Sequence, residues 1–293
     1  MKLIVIIPTY NEEKTIAKVI REIPRNIEGL DRAEVLVIDD GSTDGTKKAA
    51  QEAGADHLIS NPGNQGLAYS FKTGIENALK LGADIIVNID ADFQYNPLEI
   101  PKLIQPILND QAELVIGNRQ VRKLAHMKFT KKYGNILLSW LLRVMLKNKV
   151  SDASSGFRAF SRVCASSLNF FSHHTYTHET IIQCAFQKMR ISEVLIDFRK
   201  REDGESRLIK NLWGYIRLSG TAIFIVSLVY KPLKVFVSFS LIIFIMAIAV
   251  AWYSILFTPK LWDTTFIVLC ATALQTFFFG LIAELITHTR INR

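Results

Sequence analysis

The chain has 293 residues, of which 49% are hydrophobic, and 35 basic residues against 27 acidic ones give a formal net charge of +8. This length allows one sizeable domain plus an appendage, and the hydrophobic fraction is high for a purely soluble protein. The charge does not indicate nucleic-acid binding, because the basic residues are scattered and form no aromatic-interleaved DNA- or RNA-binding motif. A domain held beside anionic lipid accounts for the charge.

Apolar strands alternate with amphipathic helices along the first 120 residues. The pattern predicts strands over residues 2–8, 34–38, 57–59 and 84–89, and helices over residues 12–23, 43–53 and 67–81. Such alternation predicts an α/β fold with a mostly parallel sheet and helices on both faces. In sheets of this kind, ligands bind at the carboxyl ends of the strands.

An acidic pair follows one of these predicted strands. Asp90 and Asp92 flank Ala91 directly after the apolar run over residues 85–89. Two carboxylates at a strand end can hold a hard divalent cation against a phosphate. The same pattern also occurs in solvated turns, so the pair alone leaves both interpretations open.

Polar residues also follow the other predicted strands. Asp39 and Asp40 lie too early to cap the next helix and would repel each other without a ligand, so we expect at least one to hydrogen-bond a nucleobase or ribose. Asp44 is interpreted as a cap of that helix. Residues 64–66 open another helix, where either ligand contact or a turn with a cap fits the sequence.

Five short motifs in fixed order resemble the family 2 glycosyltransferases. They are the segment from Ile6 to Glu13, the segment from Val37 to Thr46 with its Asp-Asp-Gly-Ser core, Asn64 with Gly66, Asp90 to Gln94, and Gly117-Asn118-Arg119. The segments over residues 151–160 and 201–207 resemble the polyprenyl-phosphate branch, which is typified by dolichyl-phosphate mannose synthase. The resemblance implies a Rossmann-like GT-A fold.

The resemblance also implies roles for individual residues. Nucleotide binding falls to Pro8, Tyr10, Glu12, Asp39, Asp40 and Asp90, with a UDP- or GDP-hexose as donor. Mg²⁺ or Mn²⁺ is expected on Asp90, Asp92 and Gln94, where a cation stabilises the charge of the leaving diphosphate. Arg119 is expected to face the acceptor phosphate, and Glu179 to contact the sugar or support the acceptor loop.

The acceptor decides what else the site needs. A sugar hydroxyl must lose a proton as it attacks, which calls for a positioned base, whereas a lipid phosphate is already ionised near pH 7 and calls for cations. The candidates for phosphate binding are Arg119, Lys128, Lys131, Lys132, Arg201, Ser206 and Arg207. The expected catalytic residues are Asp92, Arg119 and Arg201. For the lysines, a solvated basic face is the alternative.

Two runs without a charged residue, 235–257 and 264–283, predict membrane spans over about residues 235–257 and 264–286. Lys231 and Lys234 precede the first run and Arg290 and Arg293 follow the second, which predicts that the catalytic domain and both chain ends are cytoplasmic. The N-terminal apolar run is too short for a signal peptide, and the three cysteines are expected to be reduced.

The segment over residues 209–231 is interpreted as an interfacial amphipathic helix, with a third span as the alternative. The predicted organisation is a catalytic domain over residues 1–208, this interfacial region, and a membrane hairpin over residues 232–293.

We therefore expect an integral membrane enzyme, an inverting glycosyltransferase that moves one hexose from a nucleotide sugar to a polyprenyl phosphate by a single in-line displacement. A homo-oligomer is allowed by the sequence. The alternatives are a membrane-bound transferase acting on a glycan hydroxyl, which would need a base, and a non-catalytic membrane scaffold, against which the clustered acids argue.

Overall fold

The structure is a computed structural model that describes most of the chain. The described residues are 1–124, 127, 129–146, 150–170, 176–200, 220–221, 224, 227–228, 231–257 and 263–291. By internal contacts the chain divides into two compact units, Met1–Ile223 and Phe224–Arg293. Most of the predicted interfacial region over residues 209–231 lies outside the described residues.

One seven-stranded sheet forms the centre of the first unit. Its strands are β1 (Lys2–Thr9), β2 (Arg32–Asp39), β3 (His57–Ser60), β4 (Ile85–Asn88), β5 (Leu114–Asn118), β6 (Arg158–Ser161) and β7 (Ile191–Leu195), in the order β3-β2-β1-β4-β6-β5-β7. Only β6 runs antiparallel to its neighbours β4 and β5. The predicted α/β class is therefore confirmed, and the predicted strands agree with β1 to β4 within two residues.

The strand order fixes where a ligand can bind. The chain passes from β1 outward to β2 and β3 on one side and then returns to β4 on the other side of β1. Between β1 and β4 the connections therefore diverge, and the loops that follow these two strands leave a crevice at the carboxyl edge of the sheet. The acidic pair after β4 lies at that edge.

Helices cover both faces of the sheet. They are α1 (Ile16–Glu22), α2 (Thr46–Glu52), α3 (Leu67–Lys80), α4 (Ile100–Leu108), α5 (Phe129–Leu146), α6 (Arg162–Ser167) and α7 (Thr177–Phe186). Strands β1 and β2 are buried along nearly their whole length because both faces are covered. Each fully buried isoleucine there contributes about 1.5–3 kcal/mol from burial.

Two helices begin later than the sequence pattern predicts. α1 starts at Ile16 because the carbonyl of Glu12 accepts from both the Thr15 and Ile16 amides in a turn. α2 starts at Thr46 with Gly45, not Asp44, at the N-cap position. Asp44 lies one residue earlier, and its Oδ1 accepts from the Thr46 backbone amide at 3.0 Å.

The second unit contains the two long apolar helices α8 (Pro232–Phe257) and α9 (Asp263–Ile291). Within them, Pro232–Phe257 and Thr264–Thr287 are long and apolar enough to cross a membrane. The helices pack closely, because a Cβ on Gly280 would lie 2.6 Å from Phe236 Cβ. Ser240 Oγ donates to the Ala273 carbonyl at 2.7 Å, so the two helices form the predicted hairpin.

Candidate active site

The loops that follow β1 and β2 are tied together by hydrogen bonds. Asn11 has a left-handed φ of 53°, and its side-chain Oδ1 accepts from the Thr43 amide at 2.8 Å. The Asn11 amide donates to Ser42 Oγ at 2.9 Å, and Glu13 Oε2 accepts from the Gly45 amide at 2.8 Å. The polar residues of the two motifs therefore build one rigid rim, beside which Pro8 is buried and Tyr10 and Glu12 stay partly exposed.

Asp40 holds a third loop against this rim. Its carboxylate accepts from Asn61 Nδ2 at 2.8 Å and from the backbone amides of Gln65 and Gly66 at 3.0 and 2.8 Å. Asp40 therefore anchors the backbone before α3, whose N-cap residue Gly66 has a φ of 94° and no side-chain cap hydrogen bond. Asp40 thus has an internal structural task besides any contact with a nucleotide.

Asp39 is fully buried beside Asp40 but has a different set of neighbours. Its carboxylate accepts from the Ser42 amide at 3.2 Å and lies 3.4 Å from Lys47 Nζ. Gly41, between this strand end and the next loop, has a φ of +76°, and a Cβ there would lie 2.6 Å from Gly63 Cα. Only glycine fits this close approach of two backbones.

The acidic pair follows β4 directly, with both carboxylates half-buried. Asp92 Oδ1 accepts from the Gln94 amide at 3.2 Å, which turns the chain back toward the sheet. The Gln94 side chain donates from Nε2 to the Arg199 carbonyl at 3.4 Å. Asp90, Asp92 and Gln94 therefore lie together at the carboxyl edge, next to the crevice between β1 and β4.

A loop over residues 152–157 passes directly in front of Asp90. Asn88 Nδ2 donates to the Gly156 carbonyl at 2.8 Å, and the Gly156 amide donates to the Tyr95 hydroxyl oxygen at 2.9 Å. Burial raises the pKa of Tyr95 to about 12, and the nearby Asp90 charge acts in the same direction. Tyr95 therefore stays neutral as a fixed support of this loop.

Gly156 sets the distance between this loop and the acidic pair, because a Cβ there would lie 2.9 Å from both Asp90 carboxylate oxygens. We expect Gly156→Ala to displace the Asp90 carboxylate and to weaken apparent metal affinity by about 10- to 100-fold, the size of effect seen when a ligand loses its orienting partner. Titration of activity against MnCl₂ measures this. Gly63→Ala is the control, since a Cβ there meets nothing within 4 Å; equal metal dependence in both variants would contradict the prediction.

Arg119 is held in a buried ion pair with Asp152. Its Nε and Nη2 donate to the two Asp152 oxygens at 2.8 and 2.7 Å, and Nη2 also donates to Ser154 Oγ at 2.9 Å. Burial alone would raise the pKa of Asp152, but the Arg119 guanidinium and the hydrogen bonds to the carboxylate outweigh it and keep that pKa below its ordinary value. The guanidinium expected to face the acceptor phosphate is thus bound to Asp152 in this structure.

Arg158 is a second buried arginine at this edge of the sheet, with no exposed surface. Its donors are used by backbone carbonyls of the same loop: Nε bonds Ser155 at 2.7 Å and Nη2 bonds Ala153 at 2.7 Å. Nη1 donates to Thr180 Oγ1 on α7 at 2.7 Å. Arg158 therefore fixes the loop over residues 152–157 to α7.

The start of α7 packs under the acidic pair. Tyr176 stacks on Phe71 with ring centroids 3.8 Å apart, and its hydroxyl oxygen accepts from Asn88 Nδ2 at 2.9 Å. Glu179, expected to contact the sugar or to support the acceptor loop, is fully buried and accepts from Gln183 Nε2 at 3.3 Å. Its carboxylate therefore lies inside the first unit and has no exposed surface in this structure.

His178, next to Glu179, is buried, and burial together with the nearby Arg158 charge lowers its pKa to about 3. In the unfolded chain this histidine has an ordinary pKa of about 6.5. Between the folded and unfolded pKa values the unfolded chain therefore binds a proton that the folded chain does not, so the protein becomes less stable as the pH is lowered. We expect the parent chain to lose about 2 kcal/mol through this residue between pH 7 and pH 5. His178→Gln should remove that part of the loss in thermal unfolding of the detergent-solubilised chain; an unchanged loss would contradict the assignment.

Among the other expected phosphate ligands, only Lys132 has a described side chain. Its Nζ donates to the Leu124 carbonyl at 3.1 Å, and the residue lines a groove of about 390 Å³ with Arg122, Tyr133 and Ile136. The side chain of Lys131 and all of Lys128, Arg201, Ser206 and Arg207 lie outside the described residues.

The acidic pair fits a hard divalent cation by its chemistry. The described residues contain no group of three or more His, Cys, Asp or Glu side chains arranged around a metal position. Asp90 and Asp92 would thus supply carboxylate oxygens only, the set that Mg²⁺ uses when it keeps waters and binds substrate phosphates. The Gly156 backbone lies close to the Asp90 carboxylate, since a Cβ there would be 2.9 Å from both of its oxygens.

Comparison with known proteins assigns the chain to a family. Residues 4–168 match the family described as Glycosyl transferase family 2. The chain belongs to that family. This glycosyltransferase also matches, over residues 231–289, the family described as GtrB C-terminal hairpin. The predicted resemblance is confirmed for both parts, and the two apolar helices together with this match indicate membrane association.

Several curated relatives of this glycosyltransferase have a stated activity. The UDP-N-acetylglucosamine–dolichyl-phosphate N-acetylglucosaminyltransferase of Methanococcus voltae is 35% identical over 213 residues, which are 65% of this chain and 83% of the relative. The undecaprenyl-phosphate mannosyltransferase of Micrococcus luteus is 28% identical over 73% of this chain and 90% of its own length. The dolichol-phosphate mannosyltransferase of Pyrococcus furiosus is 32% identical over 74% of this chain and 62% of its own length.

Solved structures of a related fold include glucosyl-3-phosphoglycerate synthase from Mycobacterium tuberculosis. Its complex with Mn²⁺, UDP and glucosyl-3-phosphoglycerate has a TM-score of 0.56 at 25% identity, over 76% of this chain and 77% of the other. Its complex with Mn²⁺, UDP and phosphoglyceric acid has a TM-score of 0.57 at the same identity. The likeness confirms the predicted GT-A fold of this glycosyltransferase.

The sequence alone did not reveal the supports of the site. Asp152, Arg158 and Gly156 lie in a segment that carried the resemblance, yet no role was predicted for them. An arginine at the start of a buried strand was the available signal, since a buried charge requires partners. Cys164 and Cys184, with Sγ atoms 3.2 Å apart, were not predicted to meet, because their spacing follows no known pattern.

Proposed function

We propose that this glycosyltransferase transfers one hexose unit from a nucleotide sugar to a polyprenyl phosphate at the cytoplasmic membrane face, with inversion at the anomeric carbon. The observation that carries the proposal is that an acidic pair at the sheet edge and a membrane-crossing hairpin belong to one chain. The relatives named for transfer to dolichyl or undecaprenyl phosphate support the same acceptor class. Their names differ in the sugar, N-acetylglucosamine or mannose.

The donor is assigned to the crevice between β1 and β4. Pro8, Tyr10 and Glu12 lie on its β1 side, and the buried Asp39 lies on the next strand, where its carboxylate can accept from a base or ribose. Because Asp40 already accepts three hydrogen bonds, we assign the nucleotide contact to Asp39 rather than to Asp40.

We assign Mg²⁺ or Mn²⁺ to Asp90 and Asp92, with Gln94 beside them. When bound, such a cation would offset negative charge on the leaving nucleoside diphosphate. Asp90 and Asp92 would hold the cation beside Gly156, in the loop over residues 152–157. Mn²⁺ bound with UDP in the neighbouring synthase structures supports this assignment.

The acceptor phosphate needs cations but no general base, because it is already ionised near neutral pH. Arg119 and Lys132 are the described candidates, with Lys131, Arg201, Ser206 and Arg207 proposed from the sequence. For Arg119 to contact a phosphate, the acceptor oxygens must share its guanidinium with Asp152. Lys132 lines an open groove and is the more accessible of the two.

The membrane part sets the place of the reaction. Basic residues flank both ends of the hairpin, so we propose that the catalytic unit and both chain ends are cytoplasmic. We further propose residues 1–208 as the catalytic domain and residues 209–231 as an interfacial segment. A very hydrophobic acceptor keeps its phosphate at the headgroup level, which a tethered site can reach.

The test is incubation of the purified full-length chain with UDP-N-acetylglucosamine, UDP-glucose and GDP-mannose, each with undecaprenyl or dolichyl phosphate and MgCl₂ or MnCl₂. We expect one sugar to appear on the lipid as an acid-labile phosphodiester, identified by mass spectrometry. The anomeric configuration of the product, read by NMR, tests inversion. A glycosidic product on a hydroxyl acceptor, or nucleotide binding without any transfer, would overturn the proposal.

A further inference from the structure

Phe93 follows the acidic pair directly and has an unusual backbone conformation. Its φ is 60°, in the left-handed region that a bulky side chain rarely adopts. The hydrogen bond from the Gln94 amide to Asp92 Oδ1 spans this residue, so the left-handed turn and the orientation of the Asp92 side chain are linked. A conformation of this kind persists only where surrounding contacts enforce it.

The guanidinium of Arg199 supplies one such contact. Its Cζ lies 4.4 Å from the centroid of the Phe93 ring, and Lys18 Nζ lies 5.8 Å from the same centroid. Both distances are within the range of cation–π attraction, and the closer guanidinium has a planar surface that suits stacking on an aromatic ring. Arg199 therefore contacts the strained residue itself.

Hydrogen bonds fix the Arg199 guanidinium at the same time. Nη1 and Nη2 donate to Glu22 Oε2 on α1 at 3.2 and 3.3 Å, and Nη2 also donates to Asn96 Oδ1 at 3.0 Å. A guanidinium can bond through its edge while its face stays available for stacking. Arg199 thus joins α1 to the turn that follows the acidic pair.

The backbone of Arg199 is held separately from its side chain. The Arg199 amide donates to the Gln94 carbonyl at 2.8 Å, and Tyr95 and Phe198 form an antiparallel bridge with ring centroids 5.2 Å apart. These contacts do not involve the guanidinium. A substitution of the Arg199 side chain therefore leaves them available and tests the guanidinium alone.

We propose that Arg199 is a positioning residue of the metal site, whose guanidinium holds Phe93 in the left-handed conformation and thereby orients the Asp92 carboxylate. This inference rests on the proposed function only through the assignment of a divalent cation to Asp90 and Asp92. The sign of the effect is diagnostic. A positive charge near a bound cation opposes its binding, so removal of the Arg199 charge by itself would tighten metal binding, whereas loss of positioning weakens it.

The test is Mn²⁺ binding to the purified full-length chain in the presence of UDP, followed by the loss of the EPR signal of free Mn²⁺. We expect Arg199→Met to weaken Mn²⁺ affinity about tenfold, as when a ligand loses its orienting partner. Arg25→Met is the matched control, because the Arg25 side chain is 36% exposed against 34% for Arg199 and also pairs with a carboxylate, that of Asp56. Asp56 directly precedes β3, at the amino edge of the sheet, so the control should keep the parent affinity.

A double-mutant cycle tests whether Arg199 acts through Phe93. Asparagine adopts the left-handed conformation more readily than phenylalanine, so Phe93→Asn reduces the need for an external support. In the Phe93→Asn background we expect Arg199→Met to weaken Mn²⁺ binding by less than about threefold. An equal loss in both backgrounds would overturn the proposal, as would Mn²⁺ binding in Arg199→Met that equals or exceeds that of the parent chain.

A milder variant covers the case in which Arg199→Met does not fold. Glu22→Gln removes the charge that pairs with Arg199 and should weaken Mn²⁺ affinity about two- to threefold; parent affinity in a folded Glu22→Gln chain would contradict the proposal. The readout does not depend on sugar transfer. A parent chain that binds Mn²⁺ with UDP but transfers no sugar would overturn the proposed function alone, whereas a parent chain that binds no Mn²⁺ would overturn both.

Discussion

Replacing Asp92 with asparagine is expected to reduce sugar transfer on the order of 10³-fold, because the site loses one of its two carboxylates at the diphosphate. Asparagine keeps the Oδ1 acceptor that bonds the Gln94 amide at 3.2 Å, so the turn after β4 should remain folded. The measurement is the initial rate of lipid-linked sugar formation across a range of MnCl₂ concentrations, with the thermal unfolding midpoint recorded in parallel.

The matched control is Asp31→Asn, which removes a carboxylate from a side chain that is 90% exposed and directly precedes β2, at the end of that strand opposite to Asp39. We expect its transfer rate to equal that of the parent chain. If Asp92→Asn also kept the parent rate and the parent metal dependence, the acidic pair would have no part in the chemistry.

Removing Asp152 is expected to have the largest effect on stability. Asp152→Ala leaves the Arg119 guanidinium, in a residue only 9% exposed, without the carboxylate that accepts from its Nε and Nη2. Breaking a buried pair from one side costs about 3–5 kcal/mol, because the remaining charge is uncompensated. The loss should appear as a lower free energy of unfolding in urea, measured on the detergent-solubilised chain.

A double-mutant cycle separates the ion pair from simple loss of packing. Arg119→Met combined with Asp152→Ala removes both charges, so we expect it to be more stable than Asp152→Ala alone. Glu52→Ala is the surface comparison, since Glu52 pairs with Lys48 at 3.8 Å with both side chains largely exposed, and it should change stability little. A strictly additive cycle would mean that the pair does not stabilise the fold.

Arg119 and Arg158 show why the residues that support the site can be found only from the tertiary structure. Arg158 lies in a short strand whose pattern resembles any other apolar strand, and its partners come from residues 153, 155, 177 and 180. Asp152 meets Arg119 across 33 positions of sequence. Hydrogen-bond partners at such separations are set by packing, which local patterns do not encode.

Two residues on α7 also show that the sequence alone does not reveal which polar side chains are buried. The resemblance predicts that Glu179 contacts the sugar or supports the acceptor loop, and the structure buries this residue fully beside Gln183. Its neighbour His178 is buried as well, with its pKa lowered to about 3. The polarity of these residues does not indicate which face of α7 is buried, because burial depends on which segments pack on each face.

The sequence by itself determined the α/β class, the order of strands and helices up to β4, the acidic pair at a strand end, and the two helices that are apolar enough to cross a membrane. These features follow from the local periodicity of apolar residues, from the length of the segments without charged residues, and from the order of the motifs. All of these can be read from neighbouring residues in the sequence. Only the tertiary structure decided that β6 runs antiparallel, that Asp40 holds the loop before α3, and that Asp152 pairs with Arg119. Each of these depends on which distant segments meet, and the free energy of those contacts is not readable from either segment alone.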